Sequence, residues 1–171
     1  IGTDNIDIAL NELDALVNID FESRTIRSEL RKLNIIRFGT CGGLQPDIAV
    51  DSLVASTHGL GLDNVMNFYA TQPDREESEI SQAFIQQTGI RTAITIPYVF
   101  EGSRTLIQKF GDEFMKGITV ACPGFYGPQG RNLRLGLSMP QLNDQLTAFR
   151  FGNLKITNFE METAAIYGLG K

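Results

Sequence analysis

Apolar residues recur at two alternating periods in this chain, and the alternation predicts helices interleaved with strands. Ile6, Ala9, Leu10, Leu13, Leu16 and Val17 keep helical spacing, and Thr3 or Asp4 is placed to cap that helix. Phe21, Ile26, Leu30 and Leu33 lie among Glu22, Arg24, Arg27, Glu29, Arg31 and Lys32, which predicts a second amphipathic helix with a solvated charged face. Ile35-Ile36-Arg37-Phe38 then reads as a short buried strand, ending in Gly39-Thr40-Cys41-Gly42-Gly43. After Pro46-Asp47, residues 48–57 alternate like a strand that Gly59 and Gly61 interrupt and 65–69 resume.

The second half repeats the alternation. Gln72-Pro73-Asp74-Arg75-Glu76 leads into a helix carrying Ile80, Ala83 and Phe84, with Gly89 as its stop. Residues 93–100 are strand-like, and Pro97 assigns them to an edge or a bulge. Leu106, Ile107, Phe110 and Phe114 predict a short helix, and 117–121 a buried strand. Leu142, Leu146 and Phe149 suit a helix, 154–157 a brief strand, and 162–171 a final helix. Strands alternating with helices indicate an α/β domain with a parallel or mixed sheet, and residues 1–171 are expected to form one domain.

Three predicted strand ends carry chemistry. Open α/β sheets bind ligands at the carboxyl ends of their strands. At the first, Arg37, the Thr40 hydroxyl and the amide groups of a glycine turn make a donor set suited to an anion. The same residues also fit a glycine-rich turn with Arg37 in a structural ion pair. The second is Phe125-Tyr126-Gly127-Pro128-Gln129-Gly130-Arg131. There the Gln129 amide, the Arg131 fork and an aromatic wall can read the edge of a flat heterocycle bearing carbonyl oxygens. The other reading is a surface loop with Phe125 in the core. The third is Asn158-Phe159-Glu160-Met161-Glu162, where a carboxylate can accept both protons of a vicinal diol. A first-turn glutamate favoured by the helix dipole is the competing reading, more so for Glu160 than for Glu162.

Composition narrows the classes. Twenty acidic against fifteen basic residues give a net charge of −5, which argues against a nucleic-acid surface. No apolar run approaches the ~20 residues of a membrane-spanning helix, and no signal peptide is visible. Cys41 and Cys122 have neither metal-ligand nor disulfide-framework spacing, so reduced thiols in a cytoplasmic protein are expected. His58, the single histidine, reads as structural. Cys41 shows no base to make it a nucleophile, and no phosphate loop ending in Gly-Lys-Ser/Thr occurs. The chain opens at Ile1-Gly2-Thr3 and closes inside a helical pattern, as part of something longer would.

The three stretches, in this order, resemble the nucleoside phosphorylase family, and most of all its uridine phosphorylase branch. Arg37-Phe38-Gly39-Thr40-Cys41-Gly42 and Glu160-Met161-Glu162 resemble the wider family, while Phe125-Tyr126-x-x-Gln129-Gly130-Arg131 is the narrower signal. The resemblance implies a three-layer α/β/α fold with a central mixed sheet. It implies a pentosyltransferase of nucleoside catabolism and pyrimidine salvage, converting uridine and phosphate to uracil and ribose 1-phosphate. Arg37 and Thr40 would bind phosphate. Thr40, Cys41 and Gly42 would line the nucleoside, Phe125 would pack on the base, and Gln129 and Arg131 would bond to uracil. Glu160, Met161 and Glu162 would line the ribose, with Glu162 on its hydroxyls. Arg37, Gln129, Arg131 and Glu162 are thus the implied catalytic set. No metal or organic cofactor is implied, with inorganic phosphate as co-substrate. The implied partners are the nucleoside, phosphate and further copies of the chain, in a dimer or hexamer with shared active sites. The resemblance also implies that the family's N-terminal and C-terminal segments are absent here. A purine nucleoside phosphorylase, a nucleosidase and a non-catalytic nucleoside-binding relative are the alternatives.

Overall fold

The computed structural model describes residues 2–171. The first helix, α1 (Thr3–Asn18), forms where the apolar spacing places it. Its N-cap is Gly2, and neither Thr3 nor Asp4 makes a side-chain cap bond. The expected second helix does not form. Strands β1 (Ile19–Asp20) and β2 (Thr25–Ile26) pair instead as a small antiparallel ribbon. Asp20 explains the change: its carboxylate accepts the backbone N–H of Glu22 and Ser23 and the Ser23 hydroxyl. That local capture gives the backbone an alternative to a helix, and Arg24 completes the turn at φ 56°.

Residues 27–41 then run without regular structure up to β3 (Gly42–Gly43). The reading of Ile35-Ile36-Arg37-Phe38 as a buried strand is therefore corrected. Ile36 is 62% exposed and Phe38 89%, and no strand of the described residues lies beside them to satisfy a ladder.

The strand expected over 48–57 begins later, as β4 (Val54–Gly61), after a turn in which Asp51 takes φ 66°. Gly59 and Gly61 lie inside this strand rather than breaking it. A Cβ on Gly59 would sit 2.6 Å from the Ala164 Cα, and one on Gly61 would enter the Tyr98 ring. Both glycines let neighbouring groups approach the sheet closely. Residues 65–69 form a 3₁₀ turn over Val65–Phe68, not a strand.

Helix α2 (Arg75–Thr88) carries a reciprocal capping box, with the Asp74 side chain accepting from the Glu77 N–H and the Glu77 side chain accepting from the Asp74 N–H. It ends at Gly89 in the left-handed region. Strand β5 (Tyr98–Glu101) starts just after Pro97 and is an edge strand, as the proline requires. Helix α3 (Arg104–Ile107) is one turn and stops short of Phe110 and Phe114. Strand β6 (Met115–Ala121), helix α4 (Leu142–Ala148), strand β7 (Arg150–Phe151), strand β8 (Leu154–Glu160) and helix α5 (Thr163–Leu169) complete the order.

The main sheet runs β3-β8-β6-β4-β5, with β7 also paired to β8. Its centre is parallel (β4 with β6, β6 with β8), and its edges β3 and β5 are antiparallel. Alternate residues separate two cores: Val99 and Val120 face Ile80 and Phe84 of α2 and Leu142 and Leu146 of α4, while Tyr98, Phe100 and Ala121 face Ala164 of α5. Helices thus cover both faces of a mixed central sheet. Each large side chain buried this way contributes roughly 1.5–3 kcal/mol.

The register aligns Gly61, Ala121 and Glu160 at the same end of the sheet. Gly59→Ala is expected to lower stability by about 2 kcal/mol, because the colliding atoms are the α5 backbone and cannot rotate away. Thermal unfolding should show this as a Tm about 4–8 °C lower.

Candidate active site

The parallel strands deliver two of the three chemistry-bearing stretches to one sheet end. β8 ends at Glu160, β6 runs on into the 125–131 loop, and β3 sets Gly42 opposite Phe159. Phe159 joins them. Its ring lies against Gly42, where an added Cβ would come within 2.4 Å of it, and the Arg131 guanidinium lies 5.2 Å from its centroid. The sequence reading quoted Phe159 only as part of its motif. The signal available was an aromatic residue directly before the first carboxylate.

Arg37 reaches the same place despite the exposed backbone around it. Its Nη2 donates to Glu162 Oε2 at 2.6 Å, and its Nη1 lies 3.4 Å from Glu160 Oε2. The structural ion-pair reading is thus met, and the N–H groups that make the pair are those an anion would compete for. Thr40 and Cys41 follow on the exposed approach to β3. Burial pushes the Cys41 thiol above its usual range, against a hydrogen bond to the Asn158 side chain. Cys122 is fully buried and pushed up to about 12 by desolvation, so it stays a neutral thiol.

The two glutamates hold different environments. Glu160 accepts the backbone N–H groups of Glu162 at 2.9 Å and Thr163 at 3.0 Å, capping the entry to α5. This favours the helix-terminus reading for Glu160. Desolvation nevertheless raises its carboxyl above the ordinary value. Glu162 is also desolvated, but the Gly2 N–H, bonded to its Oε1 at 2.8 Å, and the Arg37 charge outweigh that and hold it low. One carboxyl is thus held toward the neutral form and its neighbour as the anion. Met161 is half-buried between them, with its Cε facing Gly2. The Gly2 contact spans 160 positions and has no local sequence signal.

The 125–131 loop is compact. Gln129 is 3% exposed, while Phe125 is 53% exposed and so stands outside the core. The Arg131 guanidinium stacks 4.1 Å from the Phe125 centroid, and its Nη1 donates to the Phe125 carbonyl at 2.9 Å and to Gln129 Oε1. That last bond turns the Gln129 carbonyl oxygen toward Arg131 and leaves the amide N–H₂ on the other side. Arg131 thus makes cation–π contact with two rings, Phe125 and Phe159, while its fork bonds within the loop.

His58 lies within β4, and burial lowers its pKa. Its Nδ1 faces the Thr57 hydroxyl at 3.1 Å. Among the described residues no group of three His, Cys, Asp or Glu side chains is placed to hold a metal ion. No described helix is long and apolar enough to cross a membrane.

Among solved structures, a nucleoside phosphorylase of Trypanosoma brucei, described as showing uridine phosphorylase activity, superposes with a TM-score of 0.86 at 27% identity over 99% of this chain. A structure from work on two uridine phosphorylases of the oomycete Phytophthora capsici superposes with a TM-score of 0.53 at 22% identity, also over 99%. The second likeness is one of fold. The chain spans 64% of the first protein's length and 56% of the second's. No curated protein matches the chain significantly. The family model of the phosphorylase superfamily matches residues 5–170. On that match, which covers nearly the whole sequence, the chain belongs to the phosphorylase superfamily.

Proposed function

We propose that this protein catalyses the reversible phosphorolysis of uridine. The observation that carries the reading is the cluster at the sheet end, where buried Gln129 accepts from Arg131 and Arg131 lies over the rings of Phe125 and Phe159, with Phe159 joined in sequence to Glu160. Uracil presents two carbonyl oxygens with an N–H between them. Gln129 accepts from the N–H and donates to one carbonyl, and Arg131 donates to the other. Entry of the base would exchange the Arg131–Gln129 bond for bonds to uracil. The uridine phosphorylase activity described for the Trypanosoma brucei relative supports the same choice.

Arg37 and Thr40 would hold phosphate below the ribose, and Glu162, kept anionic, would accept from the ribose hydroxyls. In the reaction a phosphate oxygen bonds to the anomeric carbon as its bond to the uracil nitrogen breaks. The electron pair leaves with uracil, spread over its carbonyl oxygens, and a proton from solvent completes the product. Arg131 and Gln129 meet that charge as it develops, and holding both reactants in line supplies much of the rest. Thr40, Cys41, Gly42 and Met161 would line the nucleoside. An assembly of several copies with shared sites belongs to the same proposal, and sedimentation of the intact protein tests it.

The deciding experiment is release of uracil from uridine by the intact protein with and without phosphate. Uracil is expected only when phosphate is present, with ribose 1-phosphate in equal amount. Equal release without phosphate would make the protein a nucleosidase, and faster release of hypoxanthine from inosine would make it a purine phosphorylase. Binding of uridine without release from any nucleoside would make it a binding protein.

A further inference from the structure

We propose that Asn143, a residue outside the three chemistry-bearing stretches, is the positioning residue that ties the 125–131 loop to the body of the fold. The proposal rests on the reading of that loop as the base reader.

The loop's own backbone bonds are internal. The N–H groups of Gln129 and Arg131 both go to the Tyr126 carbonyl, at 3.0 and 2.9 Å, and the Gly130 N–H goes to the Gly127 carbonyl. These bonds shape the turn without attaching it to anything beneath. Asn143 supplies an attachment. Its Nδ2 donates to the Gln129 carbonyl at 3.2 Å from the first turn of α4, beside Leu142 and near Leu146, which are almost fully buried. Helix α4 is held by the core, so the bond refers the Gln129 backbone to a rigid element.

A second contact is independent of the first. The Asn143 amide lies flat against Gly130, where an added Cβ would be 2.5 Å from Nδ2 and 2.8 Å from Cγ. Gly130 is also at φ 70°, the left-handed region that favours glycine. The loop therefore settles onto the amide by backbone contact, one residue before Arg131.

The third observation concerns the other end of the same amide. Asn143 Oδ1 is buried and without a hydrogen-bond partner among the described residues. An orphaned buried acceptor is unfavourable, and turning the amide over would aim that oxygen at the Gln129 carbonyl oxygen. The side chain thus keeps an unsatisfied atom in order to place its donor under Gln129. That arrangement is costly for stability and useful for position, as expected where polar groups serve a site.

Asn143→Ala separates position from stability. The change removes one orphaned acceptor while freeing the Gln129 carbonyl, so a large loss of Tm is not expected. Amide exchange over 127–131 should accelerate by about tenfold or more, the scale of one lost hydrogen bond, with exchange in α4 and β6 unchanged. Uridine kcat/KM should fall by about tenfold while the phosphate KM stays within about twofold of wild type. Gly130→Ala, which pushes on the same contact from the loop side, should give the same split between uridine and phosphate. Unchanged exchange over 127–131 overturns the proposal, as does faster exchange with uridine kcat/KM intact. A parallel rise in the phosphate KM would make Asn143 a general structural residue and also overturns it. If the wild type releases no uracil at all, the uridine reading falls. Exchange then decides the tether alone: acceleration confined to 127–131 supports it, and none overturns it.

Discussion

Arg37→Ala is expected to raise the phosphate KM at least about tenfold, since one charge-assisted contact is typically worth about 1.5–3 kcal/mol. Uridine binding should change less, because Arg37 makes no bond to the 125–131 loop that reads the base and reaches the nucleoside only through the carboxylates. Steady-state kinetics with each substrate varied in turn separate the two effects, and an unaltered phosphate KM would remove Arg37 from the site.

The same substitution has a second, pH-dependent reading. Glu162 is held below its ordinary value of 4.5, in part by Arg37. A carboxylate depressed in the folded state stabilises the fold above its unfolded pKa, and that contribution is lost as pH falls through the folded pKa. Removing Arg37 weakens the depression, so wild type should exceed the variant in stability at neutral pH. The gap should close as the pH drops below about 4.5 and Glu162 protonates in both. Unfolding curves at pH 7 and pH 4 measure this. A gap that widens in acid would show that Glu162 is not held by Arg37 in solution.

Sequence reading succeeded where a signal is local and complete. The polar stretch Gln72-Pro73-Asp74-Arg75-Glu76 and Gly89 mark the two ends of α2, and both ends formed as marked. The apolar run at 117–121 likewise located β6, and 154–157 located the start of β8, which runs three residues further. It failed where a local competitor or an absent neighbour decides. The helix-like spacing from Phe21 to Leu33 lost to the Asp20 side chain, which captured the N–H groups a first helical turn would leave open. Ile35 to Phe38 have strand chemistry, yet a strand needs an adjacent backbone, and composition does not report one. The glycines of β4 were read as breaks because the sequence shows a missing side chain and not the α5 backbone pressed against it.

The candidate site was legible to a similar depth. The three stretches display donors and carboxylates in the sequence itself, and the fold brings Arg37 to Glu160 and Glu162 across more than 120 positions. Three contributors stayed hidden for reasons of distance. Phe159 acts as a shared wall only because Gly42 and Arg131, distant in sequence, both meet its ring. The Gly2 N–H reaches Glu162 from the start of α1. Asn143 sits in a segment whose only visible feature was its apolar spacing. Chemistry at strand ends can be read from residue type, whereas support from the next layer depends on packing.

Base choice carries the largest expected effect after Arg37. Gln129→Leu and Arg131→Leu should each lower uridine kcat/KM by at least about tenfold, the ~1.4 kcal/mol of one good hydrogen bond in a dry pocket. Arg131→Leu should be the more severe, because it removes the contact to uracil, the stack on Phe125 and the bond that orients Gln129. Inosine presents a different edge on a larger ring, and a slot built around polar groups rejects ligands that leave those groups unpaired. It should be a poor substrate for the wild type and both variants. Neither substitution should alter the phosphate KM, since Arg37 bonds to Glu160 and Glu162 while the loop's arginine bonds within the loop. Turnover of uridine and inosine by wild type and both variants tests the assignment. Full uridine activity in both variants, or a wild-type preference for inosine, would detach the 125–131 loop from base recognition and the uridine assignment with it.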